Sequence, residues 1–403
     1  MHETSQAGGA LDGVRVLEWS AGRAGAYAGK LLRGFGAEVT LLEAAGTRDR
    51  AFDPGPGPSS AAQLDARTRF LHGGKRSVWF NPGDDQSRSL GLALMEQADI
   101  LLIDQHLPEI DALGLSPEAL AERFPRLVVV CISLGGLKGD ARGWRYSDLA
   151  AIAAGGVAYG TPSRVPDVET YPPLKPSGYQ SDYTCGLHAA NGALFGLQLR
   201  RRTGAGQVID VSAQAVFASF VRMDIAYRTY NGLDALGILG ASRQSPTGRF
   251  STLWGLVPCK DGYFAFQASE QYQWEGLMRV MGDPDWSKEE RFQDPIVRFS
   301  FWDEIEPHFV AWTIQHTRQE IFHAAQAERV PLFPCYTVAE MLDDAQQRAR
   351  AFFVELPAAA PGGFVKVPGA VVRLEKTPWE PRFEAPAPGE HTQEVRKALE
   401  VRR

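Results

Sequence analysis

Apolar positions along this chain alternate between two textures. Short continuous runs at 14–18 (VRVLE), 37–43 (AEVTLLE), 99–103 (DILLI) and 126–132 (RLVVVCI) have the length and β-branched content of buried strands. Between them lie segments of helical texture: a small-residue stretch at 24–34, another at 86–97, and one opened by Ser116-Pro117-Glu118, with Pro at the first helical position. Strand and helix in alternation predict an α/β fold on a parallel sheet, opening with a Rossmann-like β-α-β unit. A further helix is expected at 146–158, ending on Gly155-Gly156.

The clearest helical period lies in 178–212, GYQSDYTCGLHAANGALFGLQLRRRTGAGQVIDVS. Leu187, Ala190, Leu194 and Leu197 recur at steps of three and four, which predicts one buried face. Arg200, Arg201 and Arg202 suit the negative end of the helix dipole, Gly204 supplies the stop, and 207–211 reads as a strand. Asp182 therefore stands at the mouth of a helix. As an N-cap it contributes ~1 kcal/mol over Ala. As a nucleophile it stays ionised, its reference pKa of roughly 3.9 falling further beside N–H donors, and attacks an acyl carbon. Cys185 and His188 offer a second nucleophile and base, though sequence proximity alone does not orient them.

Elsewhere the pattern is less regular. Residues 47–68 are rich in Gly, Pro, Ser and Asp and read as a loop, as does the proline-rich 161–181. An Ala- and Phe-rich helix follows Ser212 to about Arg228. Near Gly232 the texture changes to β-type runs around a Lys260-Asp261-Gly262 turn, followed by helical segments at 302–328. The run AEMLDDAQQRARAFFVEL at 339–356 reads as one amphipathic helix.

Composition narrows the class. At 403 residues the chain holds two domains or one large one, and its 44% apolar and 22% charged content is that of a soluble globular protein. A net charge of −6 argues against nucleic acid or an anionic membrane as partner, and no run of eighteen apolar residues spans a bilayer. The start, MHETSQAGGALDG, lacks a signal pattern, so the cytoplasm is the expected location. The four cysteines form no CxxC pair, and the eight histidines form no H-E-x-x-H, so neither a disulfide framework nor a metal site is expected. Gly22, Gly25 and Gly29 do not spell G-x-G-x-x-G, so no NAD-type site is implied.

These residues, taken together, resemble the class III CoA-transferase family (CaiB/BaiF-like) over nearly the whole chain. The likeness is carried by Leu11, Gly13 to Glu18, Gly25, Leu31, Leu32, Gly36 to Val39 and Glu43. It continues in Asp182, Gly186, Leu187 and then Arg201, Thr203, Gly204, Gly206, Gln207, Asp210, Val211 and Ser212, and ends in Pro388-Gly389-Glu390-His391-Thr392. It implies a large Rossmann-like CoA-binding domain over 1–225, a smaller α+β domain over 226–339 and a return to the large domain over 340–403. It also implies a homodimer of interlocked ring-like subunits. Coenzyme A enters as an acyl-CoA substrate with a carboxylic acid as acceptor, and no metal takes part.

The resemblance makes Asp182 the catalytic residue. Lys75 and Arg76, after Gly73-Gly74, are candidates for the CoA phosphates, the alternative being a solvated basic pair. Gly135, Gly136 and the weaker Lys138 follow a strand end where α/β sheets bind ligands. Arg23 stands where the family commonly has a small, apolar or amide residue; it either selects an acidic substrate or is a surface side chain. Gly22, Gly25, Gly135 and Gly136 are candidate backbone donors to an oxyanion. One departure stands out: Gln105-His106-Leu107-Pro108-Glu109 replaces an Asn-Phe-Arg-Pro-Gly CoA loop; His391, within the matching Pro-Gly-Glu-His-Thr segment, is expected to be structural. A racemase of the same fold needs a His/Asp pair, but 143–148 reads Gly-Trp-Arg-Tyr-Ser-Asp, with Tyr146 or Asp148 as the only substitutes there. A non-catalytic acyl-CoA-binding protein is the remaining alternative.

Overall fold

The computed structural model describes residues 8–44, 61–162, 165, 167, 169–231, 254–357 and 363–401. Chain contacts divide it into two compact units. One comprises Met1–Gly155, Pro176–Phe220 and Ala345–Arg403; the other comprises Gly156–Lys175 and Val221–Asp344.

The first unit alternates strand and helix: β1 (Arg15–Trp19), α1 (Arg23–Gly34), β2 (Glu38–Glu43), α2 (Ala61–His72), β3 (Arg76–Trp79), α3 (Asp85–Gln97), β4 (Ile100–Ile103), α4 (Leu107–Ala112), α5 (Pro117–Arg123), β5 (Val128–Ser133), α6 (Asp148–Ala154), α7 (Gln180–Thr203), β6 (Val208–Ser212) and α8 (Ala213–Ala218). The six strands pair in parallel in the order β3-β2-β1-β4-β5-β6. β4 and β5 are buried along their whole length, as strands covered on both faces must be. The order reverses between β1 and β4, the kind of switch point at whose carboxyl edge open α/β sheets bind ligands. Ser116 caps α5 through a bond from Ala119 N–H, as its sequence predicts.

α7 departs from the expected face. Its buried residues are Ser181, Asp182, Cys185, Gly186, Ala189, Ala190, Ala193, Gly196 and Leu197, while Leu187 and Leu194 face outward. Close approach explains the choice. A Cβ on Gly186 would lie 2.6 Å from the Ala24 carbonyl oxygen of α1, and one on Gly196 would lie 2.5 Å from Val128 of β5. Only small side chains fit that seam, so the larger leucines are displaced from it. The helix stops at Gly204 in the left-handed region (φ 78°), and Arg200 pairs with Asp99 at the opposite edge of the sheet.

The second unit contains α9 (Arg222–Asn231), β7 (Trp254–Cys259), β8 (Gly262–Gln267), α10 (Gln271–Val280), α11 (Pro295–Phe299), α12 (Trp302–Thr313), α13 (Arg318–Ala327), β9 (Leu332–Pro334) and α14 (Val338–Leu342). β7 and β8 form the expected hairpin, joined by β9 in an antiparallel sheet. Its own core gathers Phe264, Phe266, Trp274, Phe292, Trp302 and Phe309.

The chain then returns to the first unit as α15 (Ala345–Ala349), β10 (Phe353–Pro357), β11 (Phe364–Pro368) and α16 (Thr392–Glu400). The single helix expected at 339–356 is instead two short helices and a strand. Thr337 and Glu340 close a capping box on α14, Ala351 turns at φ 46°, and Phe353 and Val354 pair with β11. β-type side chains with a partner strand outweigh helical period there. The loop expected at 47–68 is also shorter than read, since its described part from Ala61 is helical; residues 45–60 lie outside the described residues.

Candidate active site

α7 begins at Gln180 with Tyr179 as its N-cap, which places Asp182 inside the first turn. The capping role expected for Asp182 is therefore not the one it has. Asp148, in the first turn of α6, instead accepts the Ser181 N–H at 2.8 Å and ties the two helix starts together. Asp182 itself is 4% exposed and turns inward among α1, α6 and its own helix.

Three side chains surround this position. Arg23, the first residue of α1, lies with Nη1 3.4 Å from Asp182 Oδ2 and its Cζ 3.6 Å above the Tyr179 ring. The Tyr146 hydroxyl lies 2.9 Å from Ser181 Oγ, near enough to Asp182 to draw its pKa down. Tyr183 packs edge to face on Tyr27, with centroids 5.0 Å apart, and adds an apolar wall with Ala26 and Leu71. Burial pushes the Asp182 pKa up; Arg23 and then Tyr146 draw it back, and the net direction is upward. The expected fall is overturned because loss of water costs the anion more than nearby donors return. Tyr146 is driven upward too, chiefly by burial, so it stays protonated and donates.

The sulfur alternative does not assemble. Cys185 is fully buried and its thiol is pushed up to about 12, chiefly by burial. His188 lies on the exposed side of α7, its Nδ1 2.9 Å from the Thr184 carbonyl oxygen.

Several other expected site residues have different duties. Lys75 is internal: its ammonium pairs with Glu18 at 2.7 Å, both side chains fully buried, and donates to the Ala26 carbonyl at 2.8 Å. That placement contradicts a phosphate contact, because the charge already neutralises a buried carboxylate beneath α1. Arg76 is half-exposed at the amino end of β3, away from Asp182, and pairs with Glu394 of α16 at 2.9 Å. Lys75 and Arg76 therefore form no common clamp. Gly22 and Gly25 donate their N–H groups to Asp104, and Gly136 donates to Ser133 Oγ, so these three are engaged within the protein rather than held ready for an oxyanion. Gly135, Gly136 and the exposed Lys138 follow β5 at the carboxyl edge of the sheet.

Sequence reasoning missed Asp104. It directly follows β4, is half-buried, and accepts the N–H groups of Ala21, Gly22 and Gly25 at the start of α1. This is where a dinucleotide fold holds a phosphate, and here a protein carboxylate fills the place. Burial raises it to about 6. Its signal in the sequence was an acid ending an apolar strand, opposite a Gly-rich turn. The altered 105–109 loop is also tied down: His106 Nε2 lies 3.0 Å from the Gly143 carbonyl oxygen and Glu109 pairs with Arg145 at 2.7 Å, just before Tyr146.

Fold and site together define an α/β protein with a buried carboxylate in the first turn of α7, facing the first residue of α1. The family model described as CoA-transferase family III matches residues 11–392, and the chain belongs to that family. It is 29% identical over 399 residues to the succinyl-CoA–L-malate CoA-transferase alpha subunit of Chloroflexus aurantiacus, covering 96% of this chain and 88% of that protein. It is 26% identical over 410 residues to the formyl-CoA:oxalate CoA-transferase of Rhodopseudomonas palustris (strain TIE-1), covering 96% and 92%. The structure of a CAIB/BAIF family protein from Brucella suis superposes with a TM-score of 0.78 at 23% identity, covering 98% of this chain and 100% of that one.

Proposed function

We propose that this protein moves coenzyme A from an acyl-CoA thioester to a carboxylic acid through an aspartyl-CoA thioester on Asp182. The observation that carries the reading is the Asp182 carboxylate, only 4% exposed and facing Arg23 at 3.4 Å. A desolvated carboxylate is a stronger nucleophile than a hydrated one, and dryness keeps the anhydride and thioester from hydrolysis.

An Asp182 oxygen attacks the acyl carbon and the C–S bond breaks, releasing CoA as thiolate. The thiolate attacks the Asp182 carbonyl of the mixed anhydride, and the acyl group leaves as a carboxylate. An acceptor carboxylate then runs both steps in reverse order, restoring the Asp182 anion. The Tyr146 hydroxyl beside Asp182 steadies its anion, and Gly135, Gly136 and Lys138 are the candidates facing CoA. A protonated Tyr146 has no capacity to take an α-proton, and Asp148 accepts the Ser181 N–H, so nothing favours the racemase reading. The domain division at 225 and 339 and a homodimer of interlocked subunits belong to the same proposal and rest on family resemblance.

Intact-protein mass spectrometry after mixing with a panel of acyl-CoA esters tests it. The wild type gains a covalent CoA adduct that a free carboxylic acid discharges; Asp182→Ala gains none. A wild type that neither gains the adduct nor exchanges CoA sinks the reading.

A further inference from the structure

Resting on that reading, we infer that Tyr146 is a catalytic residue of the transfer, its hydroxyl donating to the oxyanion that forms on Asp182's own carbonyl oxygen. Ser181 is the positioning residue that aims that hydroxyl. The step in question is the second one. The CoA thiolate attacks Cγ of Asp182 in the mixed anhydride, a C–S bond forms, and the carbonyl pair moves onto the Asp182 oxygen. Collapse restores that carbonyl and breaks the bond to the bridging oxygen, which leaves with the pair as the acyl carboxylate; no proton is transferred. A resting carboxylate spreads one charge over two oxygens, and the anhydride and thioester carbonyls carry none. The tetrahedral adduct puts a whole charge on one oxygen, so a donor fixed there counts most at the adduct.

Three of the glycines expected to supply such a donor are engaged elsewhere: the Gly22 and Gly25 N–H groups bind Asp104, and the Gly136 N–H binds Ser133 Oγ. Tyr146 stands at the carboxylate itself, near enough to draw its pKa down. Ser181 directly precedes Asp182 in the first turn of α7 and is fully buried. Its N–H donates to Asp148 Oδ1 at 2.8 Å, which fixes its backbone, and its Oγ lies 2.9 Å from the Tyr146 hydroxyl oxygen. Each of these hydroxyls has one proton to give. With Ser181 as acceptor, the phenol's proton would be turned away from Asp182. A carboxylate or an oxyanion is the stronger acceptor, so that proton goes to Asp182 and Ser181 donates to the phenol oxygen. Burial, and after it the Asp182 charge, push the phenol's pKa up, so the proton stays on to be donated.

The experiment follows formation of the CoA adduct by rapid quench and intact-protein mass. The donor is saturating succinyl-CoA, or the best ester of the panel if the wild type does not accept it. The pH is set above the acid limb of every variant, so that Asp182 is ionised throughout. Tyr146→Phe is expected to slow the adduct by about 100-fold, the size of one lost oxyanion donor, with the half-saturating donor concentration unchanged. Ser181→Ala is expected to slow it by about 2–10-fold, one neutral hydrogen bond, and to add nothing in the Tyr146→Phe background. A merely structural Ser181 would slow the double variant by the same factor again. Each substitution removes one hydroxyl, and the Tyr146→Phe rate decides by itself if Ser181→Ala fails to fold. A wild-type rate in Tyr146→Phe, or additive losses in the double variant, overturn the inference while leaving CoA transfer intact. No adduct in the wild type with any acyl-CoA overturns the transfer reading and this inference with it.

Discussion

A carboxylate 4% exposed to solvent is governed by its few neighbours, and for Asp182 these pull against burial. Burial raises its pKa, Arg23 lowers it most, and Tyr146 lowers it next. On the proposed reading the anion is the nucleophile, so transfer should rise with pH as Asp182 ionises. Replacing Arg23 by Gln removes the larger counterweight, lifts the Asp182 pKa further and moves the acid limb of kcat/KM to higher pH. Tyr146→Phe moves it the same way by less. A pH–rate profile measured with one acyl-CoA donor checks both, and an acid limb unmoved in Arg23→Gln contradicts the assigned pairing. At this scale the sequence exposed Asp182 and Arg23 by position, 159 residues apart, yet gave the wrong direction for the carboxylate's pKa. Helix N–H donors are visible in a sequence; the depth at which a side chain is buried is not. Lys75 failed for the same reason, since Gly73-Gly74-Lys75-Arg76 looks like a surface basic turn until Glu18 is seen beneath it.

At the scale of elements, the site depends on how α1 is held at its start. Three N–H groups in the Ala21–Gly25 turn converge on Asp104, and Arg23 projects from between them. Asp104 has a folded pKa of about 6 against an ordinary 3.8, so the folded protein binds a proton there more readily than the unfolded chain. The sign follows directly: this contribution to stability is complete below pH 4 and fades as pH rises through 6. Between pH 4.5 and 7 the wild type should lose about 2 kcal/mol relative to Asp104→Asn, which has no such proton to bind. Denaturant unfolding of both proteins at the two pH values measures it; parallel changes in both would contradict the assignment. Element order and type were largely readable, because long apolar runs and caps such as Ser116 act locally. The buried face of α7 was not. Its leucines follow a good helical period, but the close approach of Gly186 to the Ala24 backbone leaves no room for a side chain there, a constraint set by a helix more than 150 residues away.

Across the whole first unit, the chain's last segment closes what its first hundred residues leave open. β3 is an edge strand, and an edge presents unpaired N–H and C=O groups. The returning tail takes them up. Ser77 N–H donates to His391 Nδ1 at 3.2 Å, His391 N–H donates to the Ser77 carbonyl at 2.9 Å, and Trp79 N–H donates to Thr392 Oγ1 at 2.9 Å. Gly389 allows this approach, since a Cβ there would stand 1.9 Å from the Trp79 indole nitrogen. Further back, Trp379 lies against the Lys30 ammonium of α1 at 4.7 Å, with Phe70 at 4.3 Å on α2. The Pro-Gly-Glu-His-Thr run was legible as a segment that folds back, but the strand it covers was not, because the pairing spans more than 310 residues. The tail therefore stabilises the sheet that carries α1. Thr392→Ala leaves the Trp79 N–H without its acceptor and should lower unfolding free energy by about 1–3 kcal/mol. Lys397→Ala, on the exposed side of the same helix, should stay within about 0.5 kcal/mol of wild type. Denaturant midpoints for the two variants that coincide would show that the tail merely rests on the sheet edge rather than holding it.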